Sequence, residues 1–507
     1  MSLILCACSS AVESANSGAG GSNAAGMANS ASAGAPSNAT SGGTTQHASG
    51  GQATNAAGTS SAGMTTESGG SAGASGSAGA LAANGGTTAS GGSSGGSETA
   101  SSGRVIGYFA QWGIYQRGYR VKNIADSGAA AALTVVNYAF GNIVNGECVM
   151  VTRTGVGDAF ADYQKSFMAD ESVDGAADTW DQKLKGNFNQ LKKLKARFPK
   201  LKVLISLGGW TWSKGFSDAA LTAESRAKVV KSCLDLYIRG NLPLLDGDPA
   251  GGPGAAAGVF DGVDIDWEYP AYAGDAGSVF RPEDSQNFTL LLAEFRRQLS
   301  AIDPKLLLTI AAPAGKPQTD KLELSAIQRH LDWLNIMTYD MHGAWDVPGP
   351  TNFHAPLYTS ADDPDPQTTG ALSVDAAVMR YLNGGVPAAK ITVGLPFYGR
   401  GWTSVANNNH GLYQTANGPA PGTYEAGIED YRVLAARGAP GFHDDKAGAY
   451  WTFDGTEFWS YDDPQNITLK TSYARKKGLG GVMVWSLDGD TKDGELMRAV
   501  AAGMSKP

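Results

Sequence analysis

The sequence predicts an α/β protein built as a TIM (β/α)8 barrel, with a small α+β insertion between strand 7 and the last helix. Three observations predict it. After Arg104, eight short apolar runs rich in β-branched and aromatic residues recur, as buried parallel strands require. Amphipathic helical patterns separate them. Late in the chain a segment of about seventy residues breaks the rhythm, too long for a plain loop in a compact domain.

The expected strands, in order, are 105-VIGYFA, 133-LTVVNYAF, 201-LKVLISLGG, 259-VFDGVDIDWE, 306-LLLTIAAP, 331-LDWLNIMTYD, 391-ITVGLPFYG and 479-LGGVMVWSL. Between the fourth and fifth, Phe288, Leu291, Leu292, Phe295 and Leu299 fall at helical spacing after a polar entry at Asp284 and Ser285. The insertion is expected over 403–467. It carries Gly422, Tyr424, Trp451, Phe458 and Trp459 among many turn formers, and should sit beside the top of the barrel. The barrel as a whole is expected over 104–505.

The first hundred residues differ in kind. From Ser9 to Gly103 the only charged residues are Glu13, Glu67 and Glu98, and there is no aromatic residue. Gly, Ala, Ser, Thr and Asn cannot bury enough apolar surface to offset chain entropy, so 9–103 reads as a disordered linker. Ahead of it, the apolar Leu3 to Leu5 and the small residues before Cys8 look like the end of a truncated lipoprotein-type signal over 1–8. A lipid on Cys8 would anchor the chain, so the protein is expected to be secreted or held on the outer surface of a bacterial cell.

The formal net charge is −9 with no basic patch, which excludes nucleic acid as a partner class. The six His are scattered and no Cys/His spacing suits a metal, so no metal and no cofactor are expected. A monomer is expected. Cys233 lies on an apolar helical stripe with Val229, Val230 and Leu234 and reads as a buried free thiol. A pair with Cys148 requires a fold that brings the two together.

The chemistry lies in Asp261-Gly-Val-Asp264-Ile-Asp266-Trp-Glu268. On a strand, alternate side chains share a face. Asp264, Asp266 and Glu268 therefore project together into the barrel, their Cα atoms roughly 6.6 Å apart from one to the next. Val263, Ile265 and Trp267 point the other way, under the helices. Three carboxyls in a partly dry cavity cannot all stay ionised, so one pKa should rise. A carboxyl kept protonated at the C-terminal end of a barrel strand can act as a general acid.

This motif resembles the signature of glycoside hydrolase family 18, the chitinases. Ser206-Leu-Gly-Gly-Trp210 resembles the family's strand-three motif, and Met337-Thr-Tyr339-Asp340 its strand-six motif. Trp485 sits where strand eight places an aromatic floor. Tyr398-Gly-Arg400-Gly-Trp402 and Gly422-Thr-Tyr-Glu425-Ala-Gly-Ile are similar to the bacterial branch with the α+β insertion. The resemblance covers essentially all of 104–500.

The resemblance implies an enzyme that cleaves chitin or chito-oligosaccharides by substrate-assisted retention. It makes Glu268 the general acid. Asp266 would turn between Asp264 and the substrate's N-acetyl group, and Tyr339 would bond that acetamide. Met337 and Asp340 would shape its pocket, Trp485 would stack beneath the cleaved sugar, and Tyr398, Arg400 and Glu425 would contact substrate. Trp112 and Tyr115, Trp210 and Trp212, and Trp345 follow strand ends and are expected to form a row of sugar-stacking platforms. Trp267 and Trp333 are expected in the core. Two rivals, a chitin-binding lectin and an endo-β-N-acetylglucosaminidase, fit less well: the lectins typically lack the catalytic Glu, and the latter generally lack the insertion and the Trp row. One departure is Ser486-Leu-Asp488 after Trp485, where several relatives place an acidic residue directly after the Trp.

Overall fold

The computed structural model of the protein describes residues 103–364 and 372–505. The leader and most of the linker expected over 1–103 therefore lie outside the described residues, Gly103 excepted. Eight parallel strands form the barrel: Arg104–Ala110, Val135–Val144, Lys202–Gly208, Gly262–Asp266, Leu307–Pro313, Trp333–Met337, Ile391–Pro396 and Gly481–Trp485. Each pairs with the next, and the eighth pairs with the first, Arg104 opposite Gly481, so the sheet closes. All eight expected runs overlap a barrel strand, because each is apolar enough to be covered on both faces.

Outside the barrel, Val263, Ile265 and Trp267 are buried under the helices as the alternation requires. Trp267 lies flat on Phe216, centroids 5.3 Å apart, with its edge to Phe288 at 5.5 Å. The helix Asp284–Ile302 buries all five of its spaced apolar residues. Inside the barrel, Ile106, Tyr108, Leu204, Trp333 and Met483 share a second cluster. At the N-terminal end Asp261 accepts the Val203 N–H at 2.9 Å and pairs with Lys195 at 2.7 Å. The first acid of the motif therefore joins two strands and takes no part in the site above.

Two expectations are corrected. Strand two runs on into a hairpin with Glu147–Val149, and the hairpin lies against the helix Ala223–Cys233, where Ser232 Oγ accepts the Cys148 N–H at 2.9 Å. Cys148 and Cys233 form a disulfide there, with Cα atoms 4.9 Å apart, so Cys233 is not a free thiol. The second correction concerns the insertion. Its six-stranded sheet begins at Tyr398, in the strand Tyr398–Thr403, and includes Gly418–Pro419, Ile428–Asp430, Gly441–Asp444, Ala449–Phe453 and Phe458–Ser460. The helix Tyr431–Arg437 completes it. The chain leaves the barrel at Phe397, whose N–H still bonds Trp485 O at 2.8 Å. An unbroken apolar run carries no mark of such a change of sheet. The helix that follows, Pro464–Lys476, leads into strand eight, and the last helix is Glu495–Ser505. The insertion therefore precedes the penultimate helix.

Trp402, Trp451, Phe453 and Phe458 give the insertion its own core, together with Phe353, Val405 and Leu412. Among the described residues no helix is long and apolar enough to cross a membrane.

Candidate active site

Strand four carries the site. Asp264 is fully buried and opposite Ser206 on strand three and Thr309 on strand five. Its Oδ2 accepts from Tyr108 Oη at 2.6 Å and Ser206 Oγ at 2.8 Å. Its Oδ1 accepts from Thr309 Oγ1 at 2.5 Å and Asn335 Nδ2 at 3.3 Å. Burial raises the Asp264 pKa, and these four donors oppose the rise.

Asp266 ends the strand, 4% exposed, and its Oδ1 has no hydrogen-bond partner among the described residues. Burial holds its carboxyl far above the ordinary range, and the charges of Glu268 and Asp264 add to that. Glu268 follows just beyond the strand. Desolvation lifts its pKa to about 7, a hydrogen bond with Tyr269 lowers it, and the charge of Asp340 raises it. Its backbone N–H donates to Ser213 Oγ at 2.9 Å, and Ser213 Oγ donates to Gly209 O at 2.8 Å.

The two glycines of strand three's motif make this packing possible. Gly208 has φ +109°, and a Cβ there would stand 2.2 Å from Asp266 O. Gly209, at φ +78°, would press a Cβ into the Phe140 ring at 2.6 Å. Only glycine meets both demands.

Opposite strand four, the loop after strand six presents Tyr339 and Asp340. Tyr339 is nearly buried beside Met483, with its ring edge to Tyr398 at 6.1 Å. Met337 packs on the same cluster. Asp340 has φ +54°, a left-handed backbone that Asp tolerates better than most residues. Its Oδ1 accepts from Tyr398 Oη and Arg400 Nε, both at 2.7 Å. Burial is the largest influence and works against its charge, but the charge and hydrogen bond of Arg400, with smaller contributions from His354 and the Tyr398 hydroxyl, together hold the Asp340 pKa below its ordinary value. Arg400 also lies over the Trp345 ring at 5.0 Å. Glu425, from the insertion, is held above its ordinary pKa by burial, with Arg400 opposing and Asp340 adding.

The aromatic residues divide into groups. Trp485 stacks on Phe140 at 5.6 Å, and Phe140 leads to Trp112 at 6.2 Å, so three rings form one surface. Trp210 meets Tyr269 edge-on at 6.4 Å. Trp345, 37% exposed, stands with Arg400. Trp212 faces elsewhere: its Nε1 donates to Gly155 O at 3.1 Å, and it lines a groove with Asn142, Asn145, Lys214 and Lys228. Tyr115 is exposed and bonded to Asp158 at 2.7 Å. Trp267 and Trp333 are in the core.

Sequence reasoning missed Phe140, Ser213, Tyr269 and three of the four donors to Asp264, and named the fourth, Ser206, only as part of a motif. Phe140 ends an apolar run and looks like core, and hydroxyls inside strands carry no sequence signal of their partner. Among the described residues no group of three His, Cys, Asp or Glu side chains is arranged to hold a metal ion.

A family model described as glycosyl hydrolases family 18 matches residues 104–490. The chain is 43% identical over 406 residues to chitinase 63 of Streptomyces plicatus, covering 79% of this chain and 60% of the relative. It is 42% identical over 411 residues to chitinase C of Streptomyces lividans, covering 80% and 60%. The chain thus spans about 60% of the length of these curated relatives. The solved catalytic domain of psychrophilic chitinase B from Arthrobacter TAD20 superposes with a TM-score of 0.76 at 46% identity, over 80% of this chain and 96% of that one.

Proposed function

The chain belongs to glycosyl hydrolases family 18, and from that premise we propose that it hydrolyses the β-1,4 bonds of chitin by substrate-assisted retention, with Glu268 as acid and base. The observation that carries this reading is the contrast along strand four. Asp264 is saturated with donors, Asp266 has an unpartnered buried oxygen, and Glu268 has its pKa raised to about 7.

Each group then has one task. Glu268 gives its proton to the glycosidic oxygen as the bond from that oxygen to the anomeric carbon breaks. The substrate's own acetamide oxygen attacks that carbon, so no carboxylate nucleophile is required. Asp266 turns from Asp264 to the acetamide N–H and stabilises the positive charge that develops there. Tyr339 bonds the acetamide, while Met337 and Asp340, gripped by Tyr398 and Arg400, close its pocket. Trp485, backed by Phe140, lies under the sugar. Glu268, now a carboxylate, takes a proton from the water that opens the intermediate. Trp112, Trp210 and Trp345 hold more distant sugars, and Glu425 contacts the chain from the insertion.

We propose further that the enzyme is a monomer, either secreted or held on the outer surface of the cell by a lipid on Cys8. The Cys148–Cys233 disulfide supports export, because such bonds persist in oxidising compartments.

The test is hydrolysis of colloidal chitin by the full chain and by Glu268→Gln. Release of N-acetylglucosamine oligomers by the first, with a rate about 10²–10⁴-fold lower in the second, supports the reading. Equal rates in the two would remove Glu268 from its role. Cello-oligosaccharides, which lack the acetamide, should be left uncut.

A further inference from the structure

His354 lies on the segment after strand six, fully buried, and none of the proposed catalytic roles uses it. Three contacts fix its ring and backbone. Its N–H donates to Ser460 Oγ at 3.0 Å, its carbonyl accepts the Met341 N–H at 3.0 Å, and its ring meets Tyr398 edge-on at 4.8 Å. Nδ1 then accepts the Asp340 N–H at 3.1 Å. Because Nδ1 is the acceptor, the ring proton sits on Nε2. That Nε2 is buried with no hydrogen-bond partner among the described residues. The 3.5 Å approach of Nδ1 to Asp340 Oδ1 is therefore no ion pair, and burial keeps the imidazole neutral, its pKa pushed down to about 3.

An apolar side chain of similar size would remove the unsatisfied Nε2–H, so what the imidazole contributes is its acceptor. That acceptor meets the one residue of the strand-six motif held in a left-handed conformation, Asp340 at φ +54°. We propose that His354 is a positioning residue: by accepting the Asp340 N–H it holds Asp340 in that conformation, and so keeps the Asp340 carboxylate in place against Tyr398 and Arg400 in the proposed acetamide pocket. This rests on the proposed reading of the site, with Glu268 as the acid.

The groups that bear on Glu268 are Asp266 on strand four, the adjacent Tyr269, and Tyr339 and Asp340 from the loop after strand six. Those that bear on Asp340 are Arg400 and Tyr398 from the first strand of the insertion, Glu425, and His354 itself. Without the hydrogen bond from its N–H, the Asp340 backbone loses the contact that holds its left-handed φ, and a shift toward right-handed φ would pull the carboxylate against its bonds to Tyr398 and Arg400. A carboxylate so displaced would leave Glu268 with less neighbouring negative charge, and Glu268 would release its proton more easily.

The test compares kcat and KM across pH for His354→Leu, His354→Asn and His354→Gln on a soluble chito-oligosaccharide, with Glu268→Gln alongside. An Asn Oδ1 can replace Nδ1 as acceptor, while Leu and Gln cannot supply it there. The Leu and Gln variants should lose about tenfold in kcat, and the alkaline limb of their profiles should move down by roughly half a pH unit or more. The Asn variant should stay near wild type on both counts. If the Leu variant does not fold, Asn against Gln decides. An unmoved alkaline limb in the Gln or Leu variant, or an Asn variant as impaired as Gln, overturns the proposal. Glu268→Gln at full rate would instead overturn the reading beneath it.

Discussion

The Asp264 carboxylate receives four donated hydrogen bonds, while Asp266 Oδ1, two residues along the same strand, receives none among the described residues. The two acids should therefore fail differently. Asp264→Ala strands four buried donors and should cost about 3 kcal/mol or more of stability. Asp266→Ala strands none of them and should leave stability within about 1 kcal/mol of wild type, while kcat falls about 10²-fold or more. Urea titration beside kinetics separates the two. Equal loss of stability in both variants would contradict this division.

On the proposed role of Glu268, its pKa of about 7 sets the pH behaviour. Its protonated form is then the acid, so kcat/KM should fall on the alkaline side with a midpoint near that value. Asp340→Asn removes one of the charges that raise it and should move that midpoint to lower pH.

The same shift has a stability consequence with a definite sign. The folded-state pKa lies above the ordinary 4.5, so the folded chain holds this proton more tightly than the unfolded chain does. The resulting stability is complete below pH 4.5 and lost as pH rises to about 7. Glu268→Gln should therefore gain stability relative to wild type between those limits. Paired melting curves at pH 4 and pH 8 check this, and an equal difference at both would refute it.

Phe140 backs Trp485 and links it to Trp112. Phe140→Ala should raise KM for chito-oligosaccharides about threefold to tenfold, an effect of about 1 kcal/mol. Trp112→Ala and Trp210→Ala should slow hydrolysis of crystalline chitin more than that of short oligomers, and change the ratio of products. Unchanged ratios would argue against a row of platforms along a polymer.

Reduction, or Cys148→Ser, opens a bridge across 85 residues of chain. It should cost about 2–5 kcal/mol, read as a lower melting temperature. The effect on kcat should be small, since the bridge lies outside the acid cluster.

Much of this was legible in the sequence because burial on both faces leaves an unmistakable apolar run, and period-two spacing shows which acids share a side. Asp264, Asp266 and Glu268 could be grouped on that ground alone. What stayed hidden depends on contacts between distant segments. Tyr398 looked like the end of strand seven, since nothing local shows where a strand changes sheets. The pairing of Cys148 with Cys233 follows only from a hairpin that lies against a helix. Asp261 shares the motif but, three residues below Asp264, faces the other end of the barrel. His354 lies outside every motif, and only its hydrogen bond to Asp340 distinguishes it from an ordinary core histidine.

The first strand of the insertion supplies both Tyr398 and Arg400 to Asp340. That sheet is therefore no detachable ornament on a self-sufficient barrel. Trimming it to make a minimal enzyme would remove a wall of the proposed acetamide pocket along with the loop. Grafting the insertion of a relative would exchange part of the proposed reaction centre, so recombination between such chains should keep the strand-six loop and the Tyr398 strand from one parent.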